Sequence, residues 1–279
     1  MANFHSDEWI MARLAEHYEE ALTMFPENRI VGVFYQGSAN YGLDYEKSDV
    51  DTKCILVPTF EDIAFNRKPI STTHILDNNE HLDAKDIRLY INCFEKQNLN
   101  FLEILFTPYK IVNPQYAEWW NKLVENREAI AHYDAHRMFK SMRGIALEKY
   151  HAMEHKYPSK IEIIEKYGYD SKQLHHLLRI EDFLSRYIKG ENYESCLLPS
   201  EGIADLLKKI KENNGYYSLS EAREVSDTAL EHIEQMYQWA LLQYPEGYKP
   251  EVEKLLKEVQ YDIMKFAIAV ELAEEEYYD

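Results

Sequence analysis

The chain has 279 residues, of which 46% are hydrophobic and 29% are charged, and its formal net charge is −18. This is a globular composition, so extensive disorder is excluded, and 9 Gly with 9 Pro excludes a collagen-like or linker-dominated chain. The longest apolar runs, such as 266–270, are far shorter than the ~20 residues that span a bilayer.

The first third of the chain alternates between helical and strand patterns. Apolar residues recur every three or four positions over 7–25, which predicts an amphipathic helix with Ser6 as its N-cap. Residues 60–79 are polar and are predicted to be irregular. Apolar, β-branched runs predict three strands, at 29–35, 51–57 and 80–85, and two further helices are predicted at 87–95 and 99–106.

Beyond residue 109 the strand pattern stops and helical patterns take over. This change predicts two domains, an α/β domain over residues 1–112 and a helical domain over 113–279. The expected fold class is α+β, a small mixed sheet with helices followed by an all-α domain. Helices are predicted at 114–133, 135–155, 159–167, 171–188, 201–213, 220–242 and 250–276.

The most informative stretch joins the first two predicted strands. Gly37 and Ser38 end the first strand, where glycine allows an anion to approach the backbone and the next amides are free to bind phosphate. Asp49 and Asp51 lie two residues apart at the start of the second strand, so both carboxylates point to one face. Mg²⁺ favours carboxylates combined with substrate phosphates. Together these motifs predict metal-assisted phosphoryl transfer.

This order of motifs resembles the nucleotidyltransferase superfamily that includes DNA polymerase β. The superfamily signature is Gly-Ser, a gap, and then Asp-hydrophobic-Asp-hydrophobic, and here the gap is residues 39–48. One departure is Thr52, which replaces an aliphatic residue after the second aspartate and is expected to make the strand edge more polar.

A narrower resemblance covers about residues 29–200. It is to a bacterial and phage family of predicted nucleotidyltransferases, which is related to one associated with RNA-repair operons. The matching residues are Asn98, Asn100 and Glu103, and a downstream block over 168–191 that contains Lys172, His176 and Arg179.

The resemblance implies a third acid on the neighbouring strand, facing the first two. The candidates are Glu80, Asp83 and Asp86. Asp86 directly precedes a predicted helix, where aspartate is a natural N-cap, whereas Asp83 has no such structural reason to be acidic. Asp83 is therefore predicted as the third catalytic and metal-binding residue, with Asp86 as the alternative.

Lys172, His176 and Arg179 follow one another at spacings of four and three, so they share one face of a predicted helix. Such a stripe fits a triphosphate or an acceptor phosphate, but it is also common as a salt-bridged surface. The segment 137–179 carries nine Lys/Arg against five Asp/Glu, a local charge of +4. With Gly37 and Ser38, these three residues are the predicted nucleotide-binding set.

The implied activity is transfer of an NMP from an NTP to a hydroxyl acceptor, with two Mg²⁺ ions held by Asp49, Asp51 and Asp83. The acceptor is an RNA end, a protein or a small molecule; the charge of −18 disfavours long nucleic acids, while the +4 segment leaves an RNA 3′ end open. The alternative is a non-catalytic nucleotide-sensing or antitoxin-like module with the same fold. The NTP base and the oligomeric state stay open.

The N-terminal residues show no secretory signal, so a cytoplasmic protein without a membrane partner is expected. The three cysteines, Cys54, Cys93 and Cys196, are far apart and form no CxxC pair, which favours free thiols over disulfides or a zinc site.

Overall fold

The computed structural model describes residues 3–278, with side chains through residue 274. The strands are β1 (Ile30–Gln36), β2 (Asp51–Leu56), β3 (Ser71–Ile75), β4 (His81–Asp86) and β5 (Lys110–Val112). The helices are α1 (Asp7–Met24), α2 (Phe60–Ala64), α3 (Ile87–Glu95), α4 (Leu99–Leu102), α5 (Ala117–Glu125), α6 (Arg127–Ala131), α7 (Ala135–Met153), α8 (Ile161–Tyr167), α9 (Ser171–Tyr187), α10 (Tyr193–Leu197), α11 (Glu201–Glu212), α12 (Leu219–Gln243) and α13 (Pro250–Tyr278).

The five strands form one mixed sheet in the order β3-β4-β2-β1-β5. Only β2 and β4 are parallel; the other neighbours are antiparallel. Helix α1 packs against the sheet, and its side chains Ile10 and Leu14 lie in the same buried cluster as Val33 and Cys54. As predicted, Ser6 caps α1 by accepting a hydrogen bond from the Trp9 amide at 3.2 Å. The predicted α+β class, with a small mixed sheet, is confirmed.

The structure differs from the sequence prediction in its helices, since α10 was not predicted and the helix predicted over 114–133 is divided into α5 and α6. It differs also in two short segments that contain strands. The supposedly irregular 60–79 contains α2, started by a capping box between Thr59 and Asp62, and the edge strand β3. β3 is mostly exposed, so it lacks the apolar pattern by which buried strands are recognised. The other segment is β5, only three residues long, which pairs with β1 beyond the point where the strand signal ends.

The contacts divide the chain into two compact units. The first contains residues 1–40, 46–133 and 248–279, and the second contains 41–45 and 134–247. In the first unit α13 packs on α3 and α5, with Phe266 5.2 Å from Trp119 and 5.7 Å from Tyr116 between ring centroids. These bounds differ from the predicted division at residue 112, because distant segments pack together; the two-domain assignment itself stays a prediction.

In the second unit α9 is the central helix, in contact with α7, α10, α11 and α12. One of its faces is buried throughout, including Leu174, Leu177 and Phe183. Asp170 caps the helix through the Lys172 amide, and Gly168 ends α8 in the left-handed conformation (φ 84°). Among the described residues no helix is both long and apolar enough to cross a bilayer. All three cysteines are free thiols, as predicted.

Candidate active site

The turn after β1 brings its backbone close to a buried tyrosine. A Cβ added at Gly37 would lie 2.8 Å from Cζ of Tyr35, so the position requires glycine. The Tyr35 hydroxyl in turn accepts a hydrogen bond from the Ala39 amide at 3.1 Å. Within the described part of the chain, no hydrogen bond is made by the amides of Gly37 and Ser38. These two N–H groups are available to an anion.

A hydroxyl contact links this turn to the segment that carries the aspartates. Oγ of Ser38 lies 3.2 Å from Oγ of Ser48, the residue before Asp49. Asp49 is exposed, and Asp51 opens β2 opposite Gln36 of β1. The intervening Val50 is buried, as is Thr52 after the pair. Because β1 and β2 are antiparallel and Gln36 pairs with Asp51, the predicted phosphate turn and the predicted metal-binding aspartates lie at the same end of the pair.

His81 is the direct neighbour of Asp51 on β4, and the sequence reasoning missed it. Both its backbone nitrogen and its ring Nδ1 lie 3.0 Å from Oδ1 of Asp51. The contact follows from the parallel register of β2 and β4, in which Thr52 pairs with Leu82. No sequence pattern specifies that register, so no signal in the chain pointed to this histidine.

Asp83 lies next to Lys53, two residues further along the same strands. Its carboxylate forms ion pairs with Nζ of Lys53 at 3.1 Å and with Lys85, and it accepts a hydrogen bond from Thr73. Burial alone would raise the pKa of Asp83, but the two ammonium groups outweigh it and the pKa is lowered.

Lys53 is buried beneath an aromatic ring. Its Nζ lies 4.4 Å from the ring centroid of Phe101, and only 4% of the residue is exposed. Desolvation lowers the pKa of Lys53, although the attraction of Asp83 opposes this shift. The same strand face therefore carries Asp51 at its open end and a lysine–aspartate–lysine cluster further in.

The two other acids considered for the third position make structural contacts. Asp86 caps α3 by accepting from the Arg88 amide at 2.8 Å, and it forms an ion pair with the Arg88 guanidinium. Glu80 is buried and accepts a hydrogen bond from the Val50 amide at 3.0 Å. The expectation that Asp86 is an N-cap is thus confirmed.

These residues supply the ligands for one metal ion but do not form a complete site for two. Asp49 and Asp51 supply carboxylate oxygens beside a phosphate-binding turn, which is the donor set that one Mg²⁺ with a substrate phosphate needs. Among the side chains of residues 3–274, however, no three His, Cys, Asp or Glu come together as a ligand group. Asp83 is held by two lysines, so its role as a third ligand stays a prediction.

The asparagine segment that matches the family after β4 contacts the end of β1. Asn98 caps α4 through the Asn100 amide, and the Asn100 carbonyl accepts from Nε2 of Gln36 at 3.3 Å. Glu103 is buried at the end of the same segment. Gln36 directly precedes Gly37, so the Asn100 carbonyl holds the residue before the turn.

In the second unit, the predicted basic stripe lies on α9 with graded exposure. Lys172 is exposed, His176 is half-buried and Arg179 is buried, with its guanidinium 4.0 Å from the ring centroid of Tyr41. Desolvation and the neighbouring cations lower the pKa of His176 well below its usual value. Their predicted role with nucleotide phosphates stays a prediction.

The contact between Thr52 and His17 beside the aspartate pair was also not predicted. Thr52 was expected to make a strand edge polar, but it is buried and lies 2.8 Å from Nδ1 of the fully buried His17. The available signal was the histidine itself, which occupies the apolar face of α1 between Leu14 and Ala21.

Comparison with known proteins identifies the family. A profile of the RNA repair pathway DNA polymerase beta family matches residues 8–190, about two thirds of the chain, which includes the Gly-Ser turn and all three candidate aspartates. No curated protein matches the sequence. Among solved structures, a nucleotidyltransferase-like protein from Exiguobacterium sibiricum 255-15 aligns with 12% identity and a TM-score of 0.31, over 83% of this chain and 76% of that one. The resemblance inferred from the motifs is confirmed, and the chain belongs to the RNA repair pathway DNA polymerase beta family, a family of nucleotidyltransferases.

Proposed function

We propose that this chain is a Mg²⁺-dependent nucleotidyltransferase that moves an NMP from an NTP to a hydroxyl acceptor. One observation carries the proposal. The amides of Gly37 and Ser38 are free, and the contact between Ser38 and Ser48 places them next to the segment of Asp49 and Asp51. A phosphate-binding turn beside an acidic pair is the equipment for phosphoryl transfer.

In this proposal Gly37 and Ser38 bind the β- and γ-phosphates, and Asp49 and Asp51 hold the metal. Mg²⁺ bound there would neutralise phosphate charge and lower the pKa of the acceptor hydroxyl. Asp83 is the proposed third ligand for a second Mg²⁺, and binding in this way requires it to exchange its ion pairs with Lys53 and Lys85. Lys172, His176 and Arg179 are the proposed contacts to the remaining phosphate charge.

The reaction is an in-line displacement at the α-phosphorus. The acceptor oxygen forms the new P–O bond, and the bond from the α-phosphorus to the bridging oxygen breaks. Pyrophosphate leaves with the electron pair, and the acceptor proton passes to solvent. The chain's task is to hold the attacking and leaving oxygens in line with the α-phosphorus.

The acceptor we favour is an RNA end. The family description places its members in RNA repair, and the local charge of +4 over 137–179 suits a short phosphate backbone. A protein or small-molecule hydroxyl is the other class of acceptor.

The proposal is tested by incubating the protein with each α-³²P-labelled NTP, Mg²⁺ and separate RNA, protein and small-molecule fractions. Label is expected in the RNA fraction for the wild type and in no fraction for a variant carrying Asp49→Asn and Asp51→Asn. A variant carrying Asp205→Asn and Glu212→Gln, which removes two exposed carboxylates on α11, is the charge-matched control and is expected to retain labelling. NTP binding without label in any fraction would instead support the nucleotide-sensing alternative.

A further inference from the structure

A buried hydrogen-bond network surrounds the backbone of the aspartate pair. Glu80 has only 7% of its side chain exposed. Its Oε1 accepts a hydrogen bond from the Val50 amide at 3.0 Å. Its Oε2 accepts one from Nε2 of His17 at 3.0 Å and another from the guanidinium of Arg13. Val50 is the residue between Asp49 and Asp51, so Glu80 holds the peptide group that separates the two carboxylates.

His17 extends this network to the other side of Asp51. A carboxylate can only accept, so Nε2 of His17 carries the proton that it donates to Glu80. In the neutral ring, Nδ1 is then the acceptor for the hydroxyl of Thr52, 2.8 Å away. Helix α1 and Glu80 together therefore fix the chain immediately before and immediately after Asp51.

Packing alone does not explain why the residues of this network are polar. Burying an ionised carboxylate is costly unless it is fully paired, and an apolar side chain would fill the same space at less cost. Burial alone would raise the pKa of Glu80, but hydrogen bonds from Arg13, His17 and Val50 lower it to about 2. The acid thus stays charged over the physiological pH range while it holds the Val50 amide.

We propose that Glu80 and His17 are positioning residues that orient Asp49 and Asp51 for metal binding. This inference rests on the proposed function, since it assumes that the aspartates bind a divalent ion. Glu80 binds the Val50 amide and His17 binds the Thr52 hydroxyl. Both residues flank Asp51, so a rotation of the backbone at Val50 or at Thr52 would redirect an aspartate side chain. Outer partners of metal ligands typically change metal affinity 10- to 100-fold when removed.

The test measures the Kd for Mn²⁺ by electron paramagnetic resonance, with α,β-methylene-ATP present and the protein folded. Glu80→Ala removes the acceptor for Val50, and Thr52→Val removes the hydroxyl bonded to His17 while keeping the side-chain shape. Each is expected to raise the Kd about 10-fold or more. Glu80→Gln keeps an oxygen for the Val50 amide but loses the acceptor for His17 and Arg13, so its Kd is expected to lie between those of Glu80→Ala and wild type.

The control is Leu14→Ala, which removes buried packing on the same face of α1 and touches none of these hydrogen bonds. It is expected to lower stability without changing the Kd. If Glu80→Ala fails to fold, Thr52→Val carries the test. Equal Kd values for Thr52→Val, Leu14→Ala and wild type would overturn the positioning role alone. Absence of Mn²⁺ binding by the wild type would overturn the metal-dependent function, and the inference with it.

Discussion

The turn at Gly37 combines backbone exposure with close packing. Among the described residues its two amides make no hydrogen bond, and the buried ring of Tyr35 lies so close to Gly37 that it leaves no room for a Cβ. The same hydroxyl of Tyr35 anchors Ala39, so the ring cannot withdraw without losing that hydrogen bond. A single methyl group at this position therefore affects both stability and the anion site.

Gly37→Ala is expected to lower the free energy of unfolding by about 1–3 kcal/mol, as overpacking does, and to weaken NTP binding. The matched control is Gly144→Ala in α7, where a Cβ would meet nothing within 4 Å. That change is expected to stabilise the protein by about 0.5–1 kcal/mol, because alanine favours a helix interior. Urea denaturation and nucleotide titration of both variants measure these effects, and equal behaviour of the two would contradict the packing argument.

Asp83 balances two lysines, so its removal leaves the buried Lys53 charge without its main partner. Asp83→Asn is expected to lower the free energy of unfolding at pH 7 by about 2–4 kcal/mol. The pKa of Lys53 is already lowered by desolvation and falls further without Asp83, so the unfolded state binds more protons below pH ~10. The difference in unfolding free energy between Asp83→Asn and wild type should therefore become smaller as the pH rises from 7 to 9.5.

Urea denaturation of Asp83→Asn and wild type at both pH values measures the change in unfolding free energy. The control Asp205→Asn is expected to have an unfolding free energy within about 0.5 kcal/mol of wild type. A loss no larger than that of Asp205→Asn would show that the ion pairs contribute nothing to stability. The proposed role of Asp83 as a metal ligand adds a separate expectation, a weaker affinity for Mn²⁺ in the folded variant.

At the scale of an element, α9 carries a buried histidine that makes the second unit sensitive to acid. His175 donates from Nδ1 to the Leu207 carbonyl at 2.9 Å, and desolvation lowers its pKa to about 3, with a further contribution from Lys211, Arg179 and Lys172. The unfolded state binds more protons between that value and 6.5. Stability is therefore complete above pH 6.5 and is lost as the pH falls towards 3.

His175→Asn keeps a donor near the Nδ1 position and removes the titrating ring. Between pH 7 and pH 5 the wild type should lose about 2 kcal/mol more unfolding free energy than the variant. Urea denaturation of both proteins at the two pH values measures this difference. An equal loss of unfolding free energy in the two proteins would show that His175 does not titrate on unfolding.

The elements that could be predicted from the sequence are those with a clear periodic pattern. The helix α3 begins and ends where its pattern does, and β1 and β2 are within one residue of prediction, because their apolar runs are buried. β3 and β5 were missed, since one is an exposed edge and the other has three residues. Their pairing depends on neighbouring strands, which local sequence does not specify.

The candidate site shows the same division. Gly37, Ser38, Asp49 and Asp51 lie close together in the sequence and form a motif, so the sequence alone could single them out as candidates. The neighbours that hold them come from elsewhere: His81 through the strand register, and His17 and Glu80 through the packing of α1 on the sheet. Long-range contacts of this kind leave no spacing pattern, and Glu80 was considered only as a possible ligand.

At the scale of the whole molecule, the two ends of the chain belong to one compact unit. Helix α13 packs on α3 and α5, so the unit that holds the aspartates includes residues 248–279. Its buried residues Leu256, Val259 and Ile263 form the packed face. The first unit therefore takes part of its core from the last helix, which lies outside the range 1–112 predicted for the α/β domain.

The central claim is that Asp49 and Asp51 support Mg²⁺-dependent nucleotidyl transfer. The most direct measurement is transfer of α-³²P label from NTP to RNA as Mg²⁺ is titrated, for wild type, Asp49→Asn and Asp51→Asn. Asp49 is exposed, so its substitution should leave the melting temperature unchanged. The account predicts label that saturates with Mg²⁺ for the wild type and at least 100-fold less for either folded variant. Transfer that persists in both variants, or that is independent of Mg²⁺, would contradict it.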